Sequence, residues 1–298
     1  MKAIKISFLF TILLIIPKKE IFGQKPKKVN KTKIEIQTEI KRATGDFAVA
    51  FKNLSTKKTI FINEKTSFHA ASTMKTPVMI EVFKQEELGL LKLTDSILVI
   101  NKFKSIVDGS NYKMELGDDS DDTIYKNLGL KMSIYDLVFQ MITVSSNLAT
   151  NLLIELVGAK NVNQTMRDIG AKDIQVLRGV EDTKAFNAGL NNTTTAYDLL
   201  LIFEKLAKNQ MLSIENHSKM IEILKSQKFN EIIPAKLPKG TMVAHKTGSI
   251  SGVQHDSGII YLPNGKKYVL VLLSKNLKSE KEGVELLSKI SEIIYQMY

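Results

Sequence analysis

Two residues at the start of an apolar segment have the types and spacing to do chemistry. In FHAASTMKTP (68–77), Ser72 and Lys75 stand three apart, so a helix would bring them onto one face and into contact. A serine hydroxyl is a weak nucleophile until a neighbour takes its proton. A lysine can do so once its ammonium form is disfavoured. At a helix start the serine would also lie among free backbone N–H groups, able to hold a developing oxyanion. The spacing alone is not distinctive, because Ser55–Lys58 and Ser110–Lys113 repeat it. The former falls in a predicted hairpin turn and the latter in a polar loop; only Ser72–Lys75 opens a helix.

Two other stretches carry polar groups at element ends. VSSNLATN (144–151) places Ser145 and Asn147 at a helix start, with Asn151 one turn further on. Ser and Asn are also ordinary helix caps there. HKTGS (245–249) sets Lys246, Thr247, Gly248 and Ser249 at the end of a predicted strand. The acidic run GDDSDD (117–122) lacks the ligand alternation and distal glutamate of a calcium loop and reads as a solvated loop.

The elements that must position these residues follow from periodicity. Residues 46–63 read as two strands joined by the polar turn NLSTKK. Residues 72–88 carry Met74, Val78, Met79, Val82 and Phe83 at helical spacing and stop at Gly89. Helices are expected at 133–143, 147–157, 161–169, 195–208, 213–226 and 280–297. Residues 240–249, 256–265 and 266–275 read as strands, the last two joined around PNG. Between 172 and 193 runs an irregular stretch too long for a connector, which in a compact domain is usually functional. Neither hairpin is stable alone, so both chain ends must share one antiparallel five-stranded sheet. The fold class is α+β: that sheet covered by helices, with a mostly helical second lobe.

Composition narrows the chemistry. The chain of 298 residues is 44% hydrophobic and 24% charged, which is ordinary for a globular protein. With no cysteine and four histidines, it offers no thiolate nucleophile and no H-E-x-x-H pair, so no metal or other cofactor is expected. Lys2 and Lys5 precede an apolar run from Ile6 to Ile16, the pattern of a signal peptide and too short to span a bilayer. Residues 1–23 are therefore expected to be removed on export, 24–36 to form a lysine-rich linker, and 37–298 to form the working domain. The net charge of +11 is concentrated in the first 34 residues, without interleaved aromatics, so nucleic-acid binding is not expected.

Taken together and in this order, Ser72-x-x-Lys75, Ser145-Ser146-Asn147 and Lys246-Thr247-Gly248 resemble the serine β-lactamase and penicillin-binding-protein superfamily. The intervals between them, and GLNNTTTAYDLL (189–200) as the end of an omega loop, are similar to class A enzymes over about residues 37–298. The resemblance implies that Ser72 attacks a β-lactam carbonyl and that Lys75 exchanges its proton. The N–H groups of Ser72 and Ser249 would form the oxyanion hole. Ser145, with Lys246 beside it, would protonate the departing nitrogen. Asn147 would bind the substrate's side-chain amide, and Thr247, Gly248 and Ser249 would line the carboxylate site. Glu181 is the expected deacylation base, with Asp182 as fallback. The partner the resemblance implies is a small-molecule β-lactam; with the N-terminal export pattern, a periplasmic monomer with no stable membrane association after cleavage is expected. The alternative it leaves open is a slow-deacylating D-Ala-D-Ala peptidase-like protein. Four departures stand out: Ala185 replaces the asparagine that shares the hydrolytic water, and Asn192 the aspartate that pairs with the loop arginine (here Arg178). Ser146 replaces the middle motif's aspartate, and His255 stands where an arginine would follow the K-T-G strand.

Overall fold

A computed structural model describes residues 25–298; the expected signal peptide lies outside the described residues. The sheet contains β1 (Asp46–Asn53), β2 (Thr59–Ile62), β3 (Met242–Ile250), β4 (Val253–Tyr261) and β5 (Lys267–Lys275). Their order is β2-β1-β5-β4-β3, antiparallel throughout. The first and last strands of the chain are thus neighbours, with Ala50 opposite Val271. The pairing expected of the two chain ends is present.

Alternation along the strands divides the interior in two. Phe47, Val49 and Phe51 face one side with Tyr268, Leu270 and Leu272. They are covered by α9 (Glu280–Tyr295) through Leu287, Ile290 and Ile294. Ala48, Ala50, Val269, Val271 and Leu273 face the other side. There α7 (Ala196–Ala207) packs on β1 and β5, where the small alanines leave room for a helix. The helical lobe adds α2 (Lys75–Glu87), α3 (Ile134–Thr143), α4 (Asn147–Val157), α5 (Ala159–Asp168), α6 (Thr183–Asn187) and α8 (Ile214–Lys225).

The lysine-rich stretch expected as a linker is instead the first part of α1 (Lys25–Arg42). Its lysines obscure an apolar stripe. Val29, Ile36 and Ile40 recur at helical intervals and join the cluster beneath α9, with Ile36 fully buried. Lys28 Nζ donates to the Met297 carbonyl at 2.9 Å, and Lys289 pairs with Glu39 at 2.9 Å.

Candidate active site

Ser72 lies in a 3₁₀ turn, Ala71–Met74, that runs into α2 at Lys75. In such a turn side chains three apart eclipse, so the serine and lysine stand one above the other. Ala71 is forced to φ +45° immediately before the serine, a left-handed conformation that a non-glycine residue adopts at a cost. Lys75 is fully buried. Its Nζ donates to the Ser145 carbonyl at 2.5 Å, Ser145 Oγ at 3.1 Å and Asn147 Oδ1 at 2.8 Å. Loss of hydration pulls its pKa down to about 7, while Asp119 and Glu181 oppose the shift. The condition set for a proton-accepting lysine is met.

Ser145 occupies the turn between α3 and α4, also left-handed at φ +59°. Its hydroxyl is held between two ammonium groups: Lys246 Nζ lies 3.0 Å from Ser145 Oγ, opposite Lys75. Lys246 is buried on β3 and donates to the Thr247 carbonyl at 2.9 Å. Burial first, and then the charge of Lys75, push its pKa well down. A hydroxyl between two lysines whose ammonium forms are disfavoured is arranged so that it could pass a proton.

Strand β3 closes on Ser72 at Gly248. A Cβ there would stand 3.1 Å from the Ser72 backbone nitrogen and 3.1 Å from Thr73 Cγ2. Only glycine lets the strand approach the 3₁₀ turn this closely. Thr247, Gly248 and Ser249 line the same cleft as Ser72 and Ser145, together with Phe229, Glu231 and Gln254.

The irregular loop is closed at its neck without an ion pair. Asn192 Oδ1 accepts from the N–H groups of Leu177 (2.8 Å) and Arg178 (3.1 Å), and its Nδ2 donates to the Arg178 carbonyl at 3.0 Å. The Arg178 guanidinium donates to the carbonyls of Leu190 and Gly179 and to Asn191 Oδ1. Asn151, on α4, clamps the loop with a double hydrogen bond to Val180: Oδ1 accepts at 2.6 Å and Nδ2 donates at 3.0 Å. The next residue, Glu181, is left-handed at φ +63°, and its Oε1 accepts from Asn147 Nδ2 at 3.1 Å. Glu181 therefore lines the cleft with Ser72 and Asn147.

The other expected groups are engaged in local contacts, although Asp182 also lines the cleft beside Glu181. Asp182, the fallback base, accepts from Ser105 Oγ (2.8 Å), the Ile106 N–H (2.9 Å) and the Ala185 N–H (3.1 Å). It caps α6 and pins the loop. Ala185, on α6, is buried and Asn187 is exposed at the end of that helix. His255 is also fully buried; its Nε2 lies 2.9 Å from the His69 carbonyl, and desolvation lowers its pKa to about 4. It brings no positive charge to the cleft. Its neighbour Gln254 lines the cleft instead and donates to Ser249 Oγ at 2.8 Å.

Asp119 and Ser120, from the acidic run read as a solvated loop, are at the site. Ser120 lines the cleft, and Asp119 accepts from the N–H groups of Asn147 (2.8 Å) and Leu148 (3.0 Å). Composition hid them, since a run of four aspartates reads as surface whichever one turns inward.

Comparison with known proteins places this geometry. The sequence model of the beta-lactamase enzyme family matches residues 31–298. Beta-lactamase VEB-1 of Pseudomonas aeruginosa is 25% identical over 277 residues, 89% of each chain. Among solved structures, a beta-lactamase from Sphaerobacter thermophilus superposes with a TM-score of 0.75 at 26% identity, covering 91% of this chain and 97% of that one. PBP-A superposes with a TM-score of 0.77 at 26% identity, covering 90% and 95%. A variant of PBP-A has been solved as an acyl-enzyme complex with penicillin G.

Proposed function

The chain belongs to the beta-lactamase enzyme family, and on that premise we propose that it is an exported, class A-like serine β-lactamase working through an acyl-Ser72 intermediate. The carrying observation is the buried Lys75, three residues after Ser72 and hydrogen-bonded to Ser145, whose ammonium form is disfavoured to a pKa of about 7. Neutral Lys75 takes the Ser72 proton as Oγ adds to the β-lactam carbonyl, and backbone N–H groups of Ser72 and Ser249 hold the oxyanion. When the ring C–N bond breaks, Ser145 gives its proton to the nitrogen and is reprotonated from the flanking lysines. Asn147 holds the substrate's side-chain amide, while Thr247 and Ser249 hold its carboxylate. Glu181 then takes a proton from the water that attacks the acyl ester, and Ser72 leaves with a proton restored. The lysine-led apolar segment at the N-terminus supports export to the periplasm, where such an enzyme would protect its host from β-lactams.

A slow, penicillin-binding reading is favoured by one observation: the buried Ala185 cannot share the hydrolytic water with Glu181. The likeness to PBP-A points the same way. Time-resolved intact-protein mass spectrometry with benzylpenicillin separates the two. A brief adduct with accumulating hydrolysed drug is expected for the β-lactamase; an adduct lasting hours would replace it with the penicillin-binding reading. Ser72→Ala should abolish the adduct, and labelling that persisted in the folded variant would remove Ser72 from the mechanism.

A further inference from the structure

We propose that Asp119 is a positioning residue for this site, fixing the Ser145–Asn147 turn from a distant loop in place of the aspartate that the middle motif lacks at Ser146. The proposal rests on the reading of Ser145 and Asn147 as working groups. The first N–H groups of a helix have no partner within it, and a carboxylate is favoured there. In α4 the task is divided. Ser146 Oγ accepts from the Ala149 N–H at 3.3 Å, whereas the two carboxylate oxygens of Asp119 take the N–H groups of Asn147 and Leu148. Asp119 is itself held by the Ser120 N–H at 2.8 Å, the Tyr125 hydroxyl at 3.1 Å and, at 3.4 Å, the Ser146 hydroxyl. Both oxygens are therefore committed to the turn that carries Ser145 and Asn147.

This arrangement gives the carboxylate a second effect. The charged groups facing Lys75 are Lys246 from β3, Glu181 from the omega loop and Asp119 from the loop ahead of α3. Asp119 is thus one of two anions that oppose the loss of the Lys75 proton, and it holds the turn that receives the Lys75 hydrogen bonds. Removing its charge weakens proton binding at Lys75 and loosens the groups to which the proton passes.

The test uses Asp119→Ala and Asp119→Asn in the full-length mature protein. Backbone hydrogen exchange over 145–149 should quicken in Asp119→Ala. The rate of acylation by benzylpenicillin should fall by about 10- to 100-fold, the range expected when a reacting group is slightly misplaced. In Asp119→Asn the rising limb of the acylation pH profile should move to lower pH by about half a unit, the order expected for one partly screened charge. Adding Ser146→Asp to Asp119→Ala should restore part of the rate, since it returns a carboxylate to the same helix start. Unchanged exchange over 145–149, or an acylation rate and pH limb that match the parent, would overturn the proposal. If the parent protein is never labelled by penicillin, the functional reading fails, and the exchange measurement alone decides whether Asp119 positions the turn.

Discussion

Lys75 and Glu181 are the two ionisable side chains to which the proposed mechanism gives the two halves of the reaction. Lys75 has lost its hydration and sits near a pKa of 7, so a neutral amine is available at working pH and acylation should rise with pH through that region. Glu181 lies on a strained backbone, anchored to Asn147; that amide also receives the Lys75 hydrogen bond through its oxygen. One asparagine therefore ties Lys75, the proposed acylation base, to Glu181, the proposed deacylation base. Glu181→Gln keeps an oxygen for Asn147 while removing the proposed base and one of the two anions that hold the Lys75 proton. Its acylation rate should stay within about threefold of the parent, while release slows at least 100-fold or so, the lower end of general-base contributions. Stopped-flow and mass measurement of adduct decay would show this, and unchanged turnover would assign the base to another group.

At the scale of elements, the site is a meeting of the 3₁₀ turn before α2, the α3–α4 turn, the edge strand β3 and the clamped omega loop. The closest approach is that of Gly248 to the Ser72 backbone, and Gly248→Ala tests it. The added methyl group would sit 3.1 Å from the Ser72 nitrogen, so strand and turn must separate by a few tenths of an ångström. Acylation should slow by about tenfold or more with little change in melting temperature, because the strand lies at the sheet edge. Rates near those of the parent in a folded variant would mean that this contact does not shape the oxyanion site. The elements themselves were legible where apolar periodicity is undiluted, as in α2, α4 and β5. In α1 seven basic residues surround the stripe of Val29, Ile36 and Ile40, and charge masked the period. Ser72, Lys75, Ser145 and Lys246 could be singled out from motifs because each has fixed neighbours in sequence, although Lys246, expected at a strand end, lies in the middle of β3. Asp119 could not, because its role exists only once the loop has folded against α4. The different partners of Glu181 and Asp182 were likewise not legible in the sequence, because they arise with the left-handed backbone at Glu181.

For the molecule as a whole, the two faces of the sheet are joined through β1 and β5, so the chain closes only when its first and last strands meet. His255 joins that closure to the segment that carries Ser72. Its Nδ1 accepts from the Ser274 N–H on β5 at 3.2 Å, and its Nε2 reaches the carbonyl of His69, three residues before Ser72. Burial lowers its pKa from 6.5 to about 4, so the folded protein binds fewer protons there than the unfolded chain between those values. Stability contributed by the neutral ring is therefore present above pH 6.5 and lost as pH falls towards 4. His255→Gln removes the titration along with part of the packing. The variant should be less stable than the parent at pH 7.5, and the difference should shrink as the pH is lowered through this window. Urea unfolding at a series of pH values measures both terms. A stability difference that stayed constant from pH 7.5 to 4 would show that His255 does not couple the sheet to acid sensitivity. A narrowing difference, accompanied by earlier loss of penicillin labelling in the parent, would place the acid-sensitive joint of the molecule directly behind its nucleophile.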